Sequence, residues 1–128
     1  MIMTLSKFFK KKRGSSMGLV SKFFEVHGKV QNVMFRQTFI RGAIKRRLSG
    51  GATNDPENKG KVLCMLKGEE NLVEDYINFL EQKKVINSWH ATVDKIIQSK
   101  EERSLEDYEV TTQNVDHFKW SSDVEMYV

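Results

Sequence analysis

The chain has 128 residues, of which 39% are apolar and 30% charged, and a formal net charge of +4. That is room for one ordinary domain but not two, and the balance suits neither a disordered chain nor one embedded in a membrane. The net charge excludes more than it first suggests. Lys7, Lys10, Lys11, Lys12 and Arg13 all lie in the first 20 residues, which hold no acid, and the remaining residues balance to −1. A basic footprint spread over the folded surface, as nucleic-acid binding needs, is therefore not expected.

No apolar run approaches the roughly 20 residues of a membrane span, so stable membrane insertion is not expected. The single cysteine, Cys64, cannot form an internal disulfide, so nothing calls for an oxidising compartment. The simplest address is cytoplasmic.

In chain order, residues 1–21 read as a flexible basic arm, with Gly14-Ser15-Ser16 after the lysine run. Ile2, Leu5, Phe8 and Phe9 fall near one helical stripe, which leaves a targeting or membrane-surface segment as the alternative. Phe23 to His27 alternates and predicts a strand. Phe35, Phe39, Ile40, Ala43, Ile44 and Leu48 recur at helical spacing and predict a helix over 35–48. Gly42 inside it weakens that helix by about 1 kcal/mol, and Gly50-Gly51 ends it. A short strand over 51–54, a turn-rich hairpin over 55–60 and a partner strand from Val62 to Leu66 follow. Residues 69–82 carry Leu72, Val73, Tyr76, Ile77, Phe79 and Leu80 on one helical face. Two further strands are expected at 91–98 and 107–112. This order predicts an α+β, ferredoxin-like split βαβ sandwich, an antiparallel sheet with two helices on one face. The domain should span residues 22–112. Residues 113–128 are a C-terminal extension that packs on the body or hangs free.

The chemistry concentrates in Gly28-Lys29-Val30-Gln31-Asn32-Val33-Met34-Phe35-Arg36, between the first strand and the first helix. A loop there aims backbone N–H groups at the space above a helix N-terminus, where the helix dipole adds positive charge. Successive amides in a tight loop form a nest of anion size. Gly28 and Asn32 are residue types that tolerate the left-handed backbone a nest needs. Arg36, in the first helical turn, can return to the same anion with a fork suited to two phosphate oxygens. By these residues alone, an ordinary strand-to-helix turn with a surface arginine remains the alternative.

The segment resembles the acylphosphatase signature, in which a Gly-x-Val-Gln-Gly-Val loop precedes an aromatic residue and an arginine. Asn32 stands where that signature has its second glycine. Downstream, Leu48-Ser49-Gly50-Gly51-Ala52-Thr53-Asn54 occupies the place of the family's Leu-x-Gly-Trp-Val-x-Asn, without a gap from Arg36. Gly51 and Ala52 replace the aromatic residue and the valine. Gly60 comes about two residues late, so the hairpin beside the site is longer than usual.

The resemblance implies hydrolysis of a small-molecule acyl phosphate to a carboxylate and inorganic phosphate. Catalysis would rest on Arg36 and Asn54. The phosphate would be held by Arg36 and the amides of Lys29, Val30, Gln31, Asn32, Val33 and Met34, and Asn54 would orient the attacking water. No cofactor and no metal are implied, and a monomer is expected. Read as a turn residue, Asn54 would simply precede Asp55-Pro56.

His27, His90 and His117 have no ligand spacing between them. Cys64 reads as core, His27 as a strand residue at the sheet edge, and Lys45-Arg46-Arg47 as the wet face of the first helix. Trp89 either packs or lines the acyl side of the substrate. Two rivals use the same fold. One is an RNA-binding sheet, for which the strand 59–66 lacks stacking aromatics. The other is a catalytically weak or inactive module that binds an anion or a protein partner.

Overall fold

The computed structural model describes residues 18–128, so most of the basic arm lies outside the described residues. Strand β1 covers Leu19–His27, helix α1 Phe35–Lys45, β2 Ser49–Asn54, β3 Lys61–Glu69, helix α2 Glu70–Lys83, β4 Lys95–Gln98 and β5 Val110–Thr111. The strands form one antiparallel sheet in the order β4-β1-β3-β2-β5. The two helices cover one face, which is the ferredoxin-like α+β arrangement the periodicity predicts.

Alternation explains which residues reach the helices. In the β1–β3–β2 register, Phe24 lies opposite Cys64 and Cys64 opposite Ala52, while Val26 lies opposite Val62 and Val62 opposite Asn54. Phe24, Val26, Ala52, Val62, Cys64 and Leu66 are all buried against the helices. Phe35, Phe39 and Tyr76 stack in series, with centroids 5.9 and 5.6 Å apart, and Phe24 meets Phe39 edge-on at 6.0 Å. Such ring pairs add stabilisation beyond the area they bury. Gly42 belongs to this layer. A Cβ there would come within 2.2 Å of the Tyr76 hydroxyl, which donates to the Phe39 carbonyl at 2.8 Å. Close approach of α1 to α2 thus offsets the propensity lost at that glycine.

Several boundaries move. β1 and β3 run longer than their apolar cores suggest, because each pairs along its full length with the other. The strand expected at 91–98 begins only at Lys95; Thr92 instead bridges Val85, and Ala91 and Val93 turn into the core. β5 is reduced to two residues. The C-terminal extension packs on the body: Val115, Val124 and Val128 are buried and Met126 bridges Asn87.

Two side-chain expectations are corrected. His27 is not at a sheet edge, since β1 lies between β3 and β4; it ends the strand and meets Glu25 at 3.0 Å. Lys45-Arg46-Arg47 is not simply a wet face. Lys45 Nζ donates to the Val128 carbonyl at 2.8 Å, and Arg46 lies 4.3 Å over the Tyr76 ring while donating to the Gly42 carbonyl. Cys64 is core, and burial holds its thiol well above the usual range.

Candidate active site

The loop from Gly28 to Met34 is fixed at both ends and along its underside. Gly28 has φ +155°, and a Cβ there would lie 2.3 Å from the Thr92 carbonyl oxygen. Only glycine fits that position. Its amide donates to the Gly60 carbonyl at 3.0 Å. Val30 and Val33 sink into the core. Gln31 points away from the loop's open side and donates to the carbonyls of Asp55, Asn58 and Lys61 at 3.0–3.2 Å. That side chain therefore stitches the loop to the long β2–β3 hairpin.

Asn32 takes the left-handed conformation, φ 65°, expected of it in place of glycine. Met34 takes it too, at φ 61°, which nothing in its residue type suggests. As the N-cap of α1, Met34 caps no backbone amide of the first helical turn with its side chain, and among the described residues its sulfur accepts only from Gln37 Nε2, at 3.9 Å. Among the described residues, the amides of Val30, Gln31, Asn32, Val33 and Met34 have no protein acceptor. The Lys29 amide differs. It donates to Thr92 Oγ1 at 2.9 Å, while the Lys29 carbonyl accepts from the Thr92 amide. The set of free donors is thus narrower by one than the sequence suggests.

Arg36 stands one residue into α1, partly exposed, with Nη1 donating to Glu109 Oε1 in an ion pair. A cavity of about 210 Å³ opens beside it, with Asn32, Arg36 and Gln37 on its polar side and Val30, Met34, Phe35, Trp89, Val110 and Phe118 on its apolar side. Trp89 thus lines the cavity. Phe118 comes from the C-terminal extension, held over α1 where Gln37 Nε2 donates to the Lys119 carbonyl.

Asn54 closes β2 on the helix-facing side, opposite Val62. Its Oδ1 is buried and has no protein partner. Asn54 does not line the cavity itself; it joins the loop through the neighbouring Asp55 carbonyl, which Gln31 holds. Gly51, in place of an aromatic residue, is covered from the opposite face by Tyr108. A Cβ at Gly51 would fall 2.6 Å from that ring. Burial pushes the Tyr108 phenol up to about 12.

Sequence reasoning passed over three residues of this region. Asn87 is fully buried. It donates to the Val33 carbonyl and to Thr38 Oγ1, both at 2.9 Å, and accepts from the amides of Trp89 and Ala91. It thereby fixes the loop, the helix and the Trp89 wall together. Glu109 and Phe118 arrive from distant segments, and no local pattern marks any of the three.

Amides without a protein acceptor at a helix N-terminus, beside a guanidinium, lie on a small ferredoxin-like domain with a two-helix antiparallel sheet, an arrangement whose donors and positive charge would complement an anion. A family profile for acylphosphatase matches residues 22–118, and the chain belongs to that family. An acylphosphatase from Bacillus subtilis is 30% identical, with 71% of this chain and 92% of that one covered at a TM-score of 0.53. One from Coxiella burnetii is 23% identical, covering 77% and 95%, at 0.47. HypF of T. kodakarensis is 27% identical over 66% of this chain but only 11% of its own, at 0.52. The same unit therefore also occurs within a larger protein.

Proposed function

We propose that the protein hydrolyses acyl phosphates, with the phosphate seated on the amides of Val30–Met34 and on Arg36 and the attacking water oriented by Asn54. The observation that carries this reading is the run of five amides without a protein acceptor, leading into a helix whose first turn carries the arginine. Family membership supports the reaction class. Water attacks phosphorus, the bond from phosphorus to the acyl oxygen breaks, and the carboxylate leaves with its electrons. The water's proton passes to a phosphate oxygen. An acyl phosphate is an activated anhydride, so the reaction asks for charge stabilisation and placement and assigns no role to a metal or a titrating base. Asn54 Oδ1, buried and unpartnered, is an acceptor suited to one hydrogen of that water.

The test is hydrolysis of benzoyl phosphate by the full chain with chelator present. Arg36→Gln should lower turnover by about 10²–10³ and weaken inhibition by inorganic phosphate. Asn54→Ala should lower kcat by about 10² while leaving phosphate inhibition nearly unchanged. The kcat of the parent protein should be flat across neutral pH, because no side chain is assigned a proton. Full turnover in Asn54→Ala would remove the water-positioning role. Absence of turnover in the folded parent protein would favour a module that only binds an anion, a reading that the occupied Arg36 guanidinium keeps in view.

A further inference from the structure

The sheet face away from the helices carries a second cavity, of about 530 Å³. Its floor is the open side of β1 and β3, where Phe23 pairs with Met65 and Ser21 with Lys67. Leu105, from the β4–β5 connection, forms an apolar wall. Three cations reach it from three separate segments: Arg47 from the turn after α1, Lys67 from β3 and Arg103 from the β4–β5 connection. No Asp or Glu lines it. Arg47 and Lys67 make no ion pair with any described residue, and Arg103 only a loose one, 3.6 Å from Glu101. Arg47 also holds a left-handed backbone at φ 63°, a strained conformation for a side-chain-bearing residue.

An apolar floor rimmed by two cations without an ion pair among the described residues and a third, Arg103, that is only loosely engaged by Glu101 and the Tyr108 ring, in a volume within the usual range of small-molecule sites, suits one kind of ligand. We propose that this groove binds a small amphipathic carboxylate, its apolar body on Phe23, Met65 and Leu105 and its head among Arg47, Lys67 and Arg103. A nucleic-acid strand fits less well. Phe23 is the one aromatic side chain lining the groove, whereas single-stranded recognition stacks successive bases on several. The groove lies across the sheet from the loop of residues 28–36, so its occupancy does not depend on the hydrolytic reading.

The experiment is a titration of the isotope-labelled full chain with decanoate, followed by amide NMR shifts. Saturable shifts should centre on Ser21, Phe23, Lys67 and Ser104. Lys67→Glu and Arg103→Glu should each weaken binding by roughly tenfold with the melting temperature preserved. Benzoyl phosphate turnover and phosphate inhibition, read in parallel, report the other site separately. Shifts centred on residues 28–36, equal affinity in the charge variants, or no saturable shift would overturn the proposal. So would tighter binding of a single-stranded RNA octamer at these same residues.

Discussion

Arg36 and Glu109 form a contact whose cost to function can be bounded. Both side chains are partly exposed, 28% and 49%, and a pair so placed is worth at most about 1 kcal/mol. On the proposed reading, a phosphate dianion on the loop would outcompete it readily, since it would add several backbone donors to the same guanidinium. Glu109→Gln should therefore tighten inhibition by inorganic phosphate, by up to roughly fivefold. Weaker inhibition in that variant would instead mean that Glu109 holds Arg36 in its working position. Gly28 gives a sharper result. With φ +155° and a backbone oxygen 2.3 Å from the Cβ position, Gly28→Ala should destabilise the fold by about 2 kcal/mol or more, read from urea unfolding.

At the scale of elements, backbone bonds fasten the start of the loop, Gly28 to Gly60 and Lys29 to Thr92, and side chains hold the rest of it to its neighbours. Gln31 spans to the hairpin with three bonds to carbonyls, and Asn87 fastens the other side. Gln31→Ala leaves those carbonyls open to water, so its stability loss should be only about 1 kcal/mol. Its effect on kcat should be larger, about tenfold or more, because the loop and the end of β2 lose their common tie. A stability loss without a rate loss would show that the hairpin does not position the site. The C-terminal extension behaves as an element as well. Val124 and Val128 are each more than nine-tenths buried. Removing residues 120–128 should cost on the order of 3–5 kcal/mol, seen as a lower urea midpoint.

Across the whole molecule, the groups with displaced titration set the pH limits of the fold. Burial raises Tyr76 and Tyr108 above the ordinary phenol value of 10.0, Tyr108 to about 12. The hydrogen bond to Asp55 raises Lys61 above 10.5. All three hold protons more tightly folded than unfolded. Their contribution is complete below pH 10 and is lost as pH rises through their folded values. Asp55 runs the other way. The Glu57 amide, and after it Lys61, hold its carboxyl below 3.8, so its contribution is present above that value and fades as pH falls through the lower folded one. Thermal melts followed by circular dichroism should show a plateau across neutral pH and a fall that begins above 9, where the thiol of the unfolded chain ionises while buried Cys64 keeps its proton, and steepens above 10. A decline beginning near neutrality would point to a different titrating group.

The element order, the two-helix face and the glycine-started loop leading into Arg36 were legible in the sequence because each is a local pattern. Periods of two and of about 3.6 mark which side of a strand or helix is apolar, and Gly28, Asn32 and Arg36 carry backbone and charge preferences within nine consecutive residues. What the sequence left open depends on residues far apart in the chain. The Lys29 amide is taken by Thr92, Gln31 faces the hairpin, Tyr108 fills the space over Gly51, and Glu109 meets Arg36. Phe118 joins the cavity wall because the extension folds back onto α1. None of these follows from residue type or spacing. Each is set by which surfaces meet once the sheet has closed its register and the core has packed.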